Sequence, residues 1–328
     1  MIPTPRQVRV EAPSRLQLGL LDLRGDLGRL FGGLGVALER PRTIVEVSRS
    51  SGLDVEGPGR ERAAEFALRC LTHHGLPGAR VRVVEAIPAH SGLGSGTQLA
   101  LAVAAGLAAV HGLPRDVAAL LAATGRRTRS GVGSWTFEGG GLVVDGGHAA
   151  NGCTTPAPLP PLLARHPLPA GWRCVVVIPP VEPGLSGLEE RAAFERLTRP
   201  DPATVARISH VVLLGVLPAV VEEDLPGFGR AVTELQRLVG ECFAPVQGST
   251  FAGPEVAEVV ERLRRAGAAG AGQSSWGPGA YGFVQGDEAA DELAARARDW
   301  VSPAGEAFAT AFDNRGATIR PSSTGEDL

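Results

Sequence analysis

The 328-residue chain contains no lysine, so arginine supplies all 32 of its Lys and Arg positions. Charged residues make up only 20% of the chain, and the formal net charge is −3. This balance argues against a general nucleic-acid or membrane-surface binder, because such proteins usually carry a basic excess. The absence of lysine also excludes a Walker loop, which ends in Gly-Lys-Ser/Thr. Any substrate phosphate must therefore be held by arginine, by backbone N–H groups or by a metal ion.

Cysteines and long apolar runs are scarce as well. Four cysteines lie far apart, with no Cys-x-x-Cys pair and no histidine at metal-ligand spacing, which favours reduced structural thiols. They are Cys70, Cys153, Cys174 and Cys242. The apolar runs Leu99–Val110 and Val211–Val221 are too short to span a bilayer, and Pro218 interrupts the second. Because Met1–Val10 lacks a secretory pattern as well, we expect a cytoplasmic protein.

The remaining composition, 44% hydrophobic, is that of a folded globule. Alternating apolar residues predict strands at Gln7–Ala12, Thr43–Ser48, Arg80–Ala86, Gly141–Asp145, Trp172–Pro179, Ala280–Val284 and Glu306–Phe312. Helical spacing predicts helices at Arg60–His74, Ser95–Val110, Arg115–Thr124, Pro202–Glu222, Gly227–Phe243, Pro254–Ala266 and Glu288–Trp300. The proline-rich passage Thr155–Pro169 predicts a domain junction. We expect an α+β protein of two domains, residues 1–155 and 170–320, each a sheet with helices on one side.

The most informative stretch is Pro88-Ala-His-Ser-Gly-Leu-Gly-Ser-Gly-Thr97, which directly precedes the alanine-rich helix. Its three glycines within five residues let the backbone adopt positive φ angles and approach a ligand closely. The helix that follows presents unpaired N–H groups and the positive end of its dipole at the same point. The loop therefore predicts an anion site that needs no lysine. Its members are Ser91, Gly92, Leu93, Gly94, Ser95, Gly96 and Thr97; the alternative is a glycine-rich turn without a ligand.

The loop Pro88–Thr97 resembles the phosphate loop of the GHMP kinase superfamily. Ala12–Gly19 resembles the amino-terminal signature of that superfamily, and Gly267–Val284 resembles its third signature, which closes over the phosphate loop in that fold. Within the superfamily, the chain resembles the β-ribofuranosylaminobenzene 5′-phosphate synthase family from about Ala12 to about Asn314. The segments that carry this second resemblance are Ser14–Glu39, Gly131–Gly147, Pro183–Phe194 and Gln273–Pro278.

The resemblance implies a GHMP kinase-like fold, with an amino-terminal ribosomal protein S5 domain 2-like α/β domain and a carboxy-terminal ferredoxin-like α+β domain. Members of the family join phosphoribosyl pyrophosphate to a para-substituted benzoate and release CO2 and pyrophosphate, an early step of tetrahydromethanopterin synthesis. It thus implies a pentosyltransferase that uses Mg2+, forms a homodimer and has small-molecule substrates, with no nucleic-acid or membrane partner. Whether the acceptor is 4-hydroxybenzoate or 4-aminobenzoate stays open.

The implied reaction builds negative charge on the departing pyrophosphate, which N–H donors, arginine and Mg2+ can stabilise. Arg15 and Arg29 are candidates to clamp a phosphate or the benzoate carboxylate. The other candidate phosphate contacts are Arg126, Ser274, Ser275 and Gly277. The candidate catalytic residues are Arg15, Asp22, His90 and Glu138. Asp145 and Glu190 are candidate Mg2+ ligands, and Asp22 and Glu138 could also serve that ion.

Several of these residues have a simpler structural interpretation. Asp22 could merely end a strand, and Asp145 precedes two glycines as ordinary turns do. The arginines near Arg126 could form a solvated basic loop, and His90 could make a plain loop contact. Glu190, next to Glu189 and Arg191, could lie on an exposed helical face.

Two departures from the expected patterns affect the function. The third residue of the family's usual Arg-Leu-His is Gln17 here, which can only form hydrogen bonds. Alignment on Gly131–Phe137 puts Thr136 or Phe137 where many GHMP kinases carry a base aspartate, and neither can abstract a proton at neutral pH. This second departure favours the synthase over an ATP-dependent GHMP small-molecule kinase. A non-catalytic sensor of phosphate ligands is a third possibility.

Overall fold

A computed structural model describes residues 5–126, 129–150, 159–182 and 192–322. The strands of this part are β1 (Gln7–Asp22), β2 (Arg29–Arg49), β3 (Leu53–Glu56), β4 (Ala79–Glu85), β5 (Leu142–Asp145), β6 (His148–Ala149), β7 (Leu162–His166), β8 (Trp172–Ile178), β9 (Gly270–Gln273), β10 (Ala280–Gln285), β11 (Glu306–Ala311) and β12 (Thr318–Pro321). Its helices are α1 (Arg60–His74), α2 (Ser95–His111), α3 (Val117–Thr124), α4 (Val132–Gly139), α5 (Pro202–Val211), a π-helical turn (Val212–Val216), α6 (Leu217–Val221), α7 (Leu225–Gln247), α8 (Pro254–Arg265) and α9 (Asp287–Val301).

The first sheet is built on the long antiparallel hairpin of β1 and β2, which stay paired from Gln7↔Ser48 to Asp22↔Phe31. Along it the strand order is β12-β1-β2-β4-β3, and β5, β6 and β7 extend from the first half of β2. The sequence predicted only the first six residues of β1, because the later residues are buried on both faces and do not alternate. Strand β12 follows the last strand that the sequence predicted; it lies at the end of the range predicted for the second domain but pairs with β1 of the first sheet.

Helix α2 lies on β1 and β2 and fixes the loop that precedes it. Every residue from Gly96 to Val110 is buried, and most of them are alanine, glycine or leucine. The small side chains let the helix approach the sheet closely, so that a Cβ on Gly106 would overlap Val47. The start of α2 is therefore held by a tightly packed core.

The second sheet is antiparallel, in the order β11-β8-β10-β9, and both of its faces are buried. Val175 and Val177 face a core formed with α8 and α9. Cys174 and Val176 face a different core, which contains Phe228 of α7 and residues of the β1–β2 hairpin. The expectation of helices on one side only is therefore wrong for this sheet, because α7 covers the second face.

Residues Pro202–Val221 form one uninterrupted helical run of 20 residues, long and apolar enough by length and composition to cross a membrane. The sequence predicted that Pro218 would kink or end this run, and that its apolar part was too short to span a bilayer. Pro218 does not end the run; it lies directly after the π-helical turn Val212–Val216, where the hydrogen-bond pattern of the helix changes. A third of the apolar stretch is buried, with Val211, Val216 and Val220 in the core shared with the hairpin. A core helix meets the same criteria of length and composition.

The cysteines within the described residues are Cys70, Cys174 and Cys242, and all three are free thiols, as expected. Burial raises the pKa of Cys70 to about 12, so its reactive thiolate form is suppressed at neutral pH. Cys153 lies outside the described residues.

Gln236 of α7 joins the two sheets by hydrogen bonds. The pairing of β1 with β2 shifts register between Gln17 and Gly19, so Leu18 has no ladder partner. The side-chain amide of Gln236 donates to the Leu18 carbonyl. Its oxygen accepts the N–H of Gln273 in β9 at 2.8 Å. One buried side chain thus satisfies a backbone group in each sheet.

We expect Gln236→Met to lower the free energy of unfolding by about 2 kcal/mol or more, because it leaves two buried backbone groups without partners. Urea unfolding followed by circular dichroism measures the change. Arg230→Ala is the control on the same helix, since that side chain is 74% exposed and, in the described part of the chain, has only a 3.9 Å ion pair with Asp224 to lose. Equal stability of Gln236→Met and the wild type would contradict the bridging role.

Candidate active site

The phosphate loop, Pro88–Thr97, ends in an open helix terminus. Gly94 caps α2 with φ +85°, a conformation that favours glycine. The N–H groups of Thr97 and Gln98 both bond to the Gly94 carbonyl at 3.1 Å. Within the described residues the N–H groups of Ser95 and Gly96 have no hydrogen-bond acceptor. These donors, together with the dipole of a 17-residue helix, favour an anion at this point.

Three arginines from separate elements meet at this terminus, and we call them the arginine cluster: Arg15, Arg62 and Arg126. A Cβ built on Gly94 would lie 3.0 Å from Cγ of Arg15. One on Gly96 would overlap the Arg62 guanidinium and lie 3.1 Å from Nη2 of Arg126. Arg126 also donates from Nε to Oγ1 of Thr97 at 3.1 Å. Three like charges beside the positive end of a helix repel one another, so this arrangement favours a bound anion.

Arg62 is the member that sequence analysis missed. It lies on α1, where the helical spacing of the apolar residues marks only the opposite, buried face. Among the described residues it makes no hydrogen bond or ion pair, although its guanidinium lies at the start of α2. No local motif marks such a residue, because only the packing of α1 beside α2 brings it to the loop.

Residues Ser274–Gly279, within the third signature Gly267–Val284, pack directly on the phosphate loop. Ser274 is fully buried; its hydroxyl donates to the Gly92 carbonyl at 2.7 Å and accepts the Gln17 N–H at 3.0 Å. The Gly279 N–H donates to the Ser91 carbonyl at 3.2 Å. A Cβ on Gly277 would overlap the backbone of Gly92, so only glycine allows this approach. Ser274 and Gly277 thus support the loop from behind, whereas Ser275 is exposed.

Several hydrogen bonds within the site hold the loop in shape. The Arg15 guanidinium donates to the Gly92 carbonyl, and the Arg15 N–H donates to the Leu93 carbonyl at 3.1 Å. The Ser91 hydroxyl donates to the Pro88 carbonyl at 2.8 Å. Arg15 therefore fixes the loop backbone at the same time as it places positive charge beside Gly94.

Asp145 has a structural environment of its own. It is fully buried; its carboxylate accepts the N–H of Gly131 at 2.8 Å and of Gly147 at 2.9 Å, and lies 3.0 Å from the Ser130 hydroxyl. Burial raises the pKa of Asp145, and these hydrogen bonds, with one from the Gly33 N–H, oppose that shift. Both oxygens are thus engaged in joining the end of β5 to the start of α4, which does not favour the predicted metal-ligand role.

Asp22 lies in the setting that its simpler interpretation describes, and Glu138 lies in a surface ion pair. Asp22 ends β1, and its Oδ1 accepts the N–H groups of Arg24 at 2.6 Å and Gly25 at 2.8 Å. Glu138 is exposed and pairs with Arg165 at 3.0 Å. No contact in the described residues connects either carboxylate with the phosphate loop, and their catalytic roles stay predictions.

Arg29, His90 and Glu190 were also candidates. Arg29 donates to the carbonyls of Gly146 and Gly147, each at 2.6 Å, so it clamps the turn after β5 and not the phosphate loop. His90 lies exposed in the phosphate loop with φ +59°. Glu190 lies outside the described residues.

The comparisons with known proteins cover nearly the whole chain. Residues 61–136 match the GHMP kinases N terminal domain, and residues 216–302 match the GHMP kinases C terminal family. The beta-ribofuranosylphenol 5′-phosphate synthase of Methanothermobacter thermautotrophicus is 34% identical over 326 residues, which are 94% of this chain and 97% of that protein. The protein of the same name from Methanocaldococcus jannaschii is 32% identical over 84% of this chain and 88% of its own.

Solved structures share the fold at lower identity. Homoserine kinase of Cytophaga hutchinsonii superposes with a TM-score of 0.69 at 17% identity, covering 98% of this chain and 99% of that one. Galactokinase of Lactococcus lactis gives a TM-score of 0.68 at 13% identity, covering 96% and 95%. The predicted GHMP kinase-like fold is confirmed.

We expect Arg62→Ala to weaken the binding of inorganic diphosphate by about tenfold to a hundredfold, because one charge-assisted contact is lost from the site. Isothermal titration calorimetry measures the affinity. Arg60→Ala is the matched control on the same helix: Arg60 is 68% exposed and pairs only with Glu61 in the described chain. If both variants bound diphosphate as tightly as the wild type, Arg62 would have no part in the site.

Proposed function

The chain belongs to the beta-ribofuranosylphenol 5′-phosphate synthase family, as its sequence predicted, and we propose that it transfers a phosphoribosyl group to 4-hydroxybenzoate. It is accordingly a pentosyltransferase. The donor is phosphoribosyl pyrophosphate, and the product is a β-ribofuranosylphenol 5′-phosphate. The phenol in the relatives' name favours the hydroxybenzoate over the aminobenzoate that the sequence left open.

The reaction breaks two single bonds and forms one. The bond from ribose C1 to the pyrophosphate oxygen breaks, and its electron pair leaves with pyrophosphate. A bond forms between C1 and the ring carbon that carries the carboxylate. The bond from that carbon to the carboxylate then breaks, its electron pair restores the aromatic ring, and CO2 leaves.

The observation that carries the proposal is the arginine cluster at the open start of α2. Negative charge builds on pyrophosphate as C1 becomes oxocarbenium-like, and fixed donors aimed at that charge lower the barrier. The N–H groups of Ser95 and Gly96 supply such donors, and the cluster supplies positive charge without lysine. Because α2 is buried along its length, these groups need not reorganise during the reaction.

A kinase of the same fold is the alternative, and the environment of α4 disfavours it. Thr136 occupies the position of the expected base, but its hydroxyl is fully buried and donates to the Val132 carbonyl at 2.7 Å within the helix. Phe137 is buried and carries no proton acceptor. Neither residue can deprotonate a substrate hydroxyl.

We propose that Mg2+ takes part in the reaction and binds together with the diphosphate of the substrate. The described residues contain no group of three or more His, Cys, Asp or Glu side chains that could hold a metal ion. Mg2+ is commonly held through substrate phosphates with only one or two carboxylates, so we propose that it enters bound to phosphoribosyl pyrophosphate.

We further propose a cytoplasmic homodimer that acts in tetrahydromethanopterin synthesis, binds small molecules and has no nucleic-acid partner. The family membership supports the substrates and the pathway. The low net charge of −3 supports the lack of a polyanionic partner.

We expect the purified chain with Mg2+ to release pyrophosphate and CO2 when phosphoribosyl pyrophosphate and 4-hydroxybenzoate are supplied together. A pyrophosphatase-coupled phosphate assay measures pyrophosphate, and 14CO2 release from carboxyl-labelled substrate measures CO2. The acceptor 4-aminobenzoate is tested in parallel. A second reaction contains ATP in place of phosphoribosyl pyrophosphate. Formation of ADP without benzoate-dependent pyrophosphate would select the kinase, and ligand binding without any product would select the sensor.

We expect Gly94→Asp to abolish product formation, because it places a carboxylate in the anion site and a Cβ 3.0 Å from Arg15. Gly248→Asp is the matched control: Gly248 has the same φ of +85° with no atom within 4 Å of an added Cβ, so it carries the backbone strain alone. Product formation and thermal unfolding of both variants are measured. A Gly94→Asp enzyme with the wild-type rate would show that the site is elsewhere.

A further inference from the structure

Four aromatic side chains gather beside the phosphate loop, and we call them the aromatic cluster: Phe31, Phe194, Phe243 and Trp276. The Phe194 ring meets the other three edge to face, with centroid distances of 5.6 Å to Phe31, 5.4 Å to Trp276 and 5.7 Å to Phe243. The rings of Trp276 and Phe243 also meet edge to face, with their centroids 4.7 Å apart. Aromatic residues form only 5% of the chain. The three phenylalanines are only half-buried, unlike Phe228 and Phe283 in the core, so the cluster borders the surface.

The cluster is tied to the phosphate loop by the chain itself. Trp276 immediately precedes Gly277, whose backbone packs on Gly92. Phe31 is followed by Gly32 and Gly33, and a Cβ on Gly33 would overlap the Ser130 hydroxyl. Trp276 thus joins the aromatic cluster to the loop that would bind the diphosphate, and the segment after Phe31 packs against Ser130.

The backbone of Phe31 is strained. Its φ is +72°, in the left-handed region that a bulky residue rarely adopts. Such strain persists where the surrounding structure imposes it, and it is common at ligand sites. The ring of this strained residue meets Phe194 edge to face, so the strain lies within the aromatic cluster.

A cation completes the arrangement. The guanidinium carbon of Arg129 lies 4.1 Å from the centroid of the Phe194 ring. Arg129 precedes Ser130, whose hydroxyl lies 3.3 Å from Oε1 of Gln17 and 3.0 Å from Asp145. A planar guanidinium beside aromatic faces matches a ligand that combines an aromatic ring with a carboxylate.

We propose that the aromatic cluster and Arg129 form the subsite for the arene carboxylate acceptor. Arg129 binds the carboxylate, and the rings of Phe31 and Phe194 contact the arene and hold its substituted carbon toward the phosphate loop. This inference rests on the proposed synthase activity and adds the residues that select the acceptor. The observations that carry it are the strained Phe31, whose ring meets Phe194, and the Arg129 guanidinium 4.1 Å from the centroid of the Phe194 ring.

Steady-state kinetics test the subsite. We expect Arg129→Met to raise the KM for 4-hydroxybenzoate by about tenfold to a hundredfold, with the KM for phosphoribosyl pyrophosphate changed less than threefold. Arg129→Lys keeps a positive charge and should lose less. Phenol lacks the carboxylate and should inhibit Arg129→Met and the wild type equally. Benzoate carries the carboxylate and should inhibit the wild type more strongly than Arg129→Met. An unchanged KM for 4-hydroxybenzoate in Arg129→Met, or an equal rise in the KM of both substrates, would overturn the proposal.

Phe31→Gly separates binding from folding. Glycine adopts a φ of +72° without strain, so we expect the melting temperature to stay within a few degrees of the wild type while the KM for 4-hydroxybenzoate rises about tenfold. Phe251→Leu, a partly buried ring outside the cluster, should leave both KM values unchanged. A wild-type enzyme that forms no product would sink the proposed function itself. If the wild type forms product and both Arg129→Met and Phe31→Gly have the wild-type KM for 4-hydroxybenzoate, only the proposed acceptor subsite is contradicted.

Discussion

The start of α2 brings together two N–H groups without an acceptor in the described residues and three guanidinium groups, and this concentration of positive charge is the constraint on which the site depends. In water such groups would separate, because like charges repel and each side chain loses conformational freedom when fixed. They stay together because each belongs to a different packed element: Arg15 to β1, Arg62 to α1 and Arg126 to the segment after α3. The packing of the core around α2, where every residue from Gly96 to Val110 is buried, therefore offsets the free energy of repulsion between these charges.

The support of the loop explains why two sheets are needed. The carbonyl of Gly92 accepts from Arg15 of the first sheet and from Ser274, which directly follows β9 of the second sheet. Gln236 binds the backbone of both sheets in the same region. A loop fixed from two sides presents its N–H groups in one geometry, and a preorganised site loses less to rearrangement when charge develops.

The sequence predicted the parts of this arrangement that depend on local chemistry. Glycines at 92 and 94 before an alanine-rich run indicate a loop and a helix start in any fold, and both have the positive φ expected of them. Arg62 could not be found in this way, because its place beside Gly96 follows from the packing of α1 against α2. Asp145 is a candidate because Mg2+ prefers oxygen ligands, and Arg29 because a guanidinium can clamp a phosphate or carboxylate. Both bond to backbone groups of nearby turns, which the sequence did not reveal, and their ligand roles stay predictions. The fold was easier to predict than the carboxylates, since apolar periodicity extends over whole elements while the partner of one charge depends on a few atoms.

Gln17 shows how the chain can depart from the family pattern and still keep the reaction. Its side-chain amide donates to the Gly19 carbonyl at 2.8 Å, and its oxygen lies 3.3 Å from the Ser130 hydroxyl. A neutral histidine could also donate from one ring nitrogen and accept at the other, so glutamine can replace its hydrogen bonds. It cannot replace a proton transfer. The proposed reaction does not need one overall: pyrophosphate and CO2 both leave as bonds break, and the equation balances without a proton when the phosphates are fully ionised. The demand on the protein is then to stabilise charge and align two substrates, which fits a site rich in arginine whose described carboxylates are bound to turns or paired with arginine.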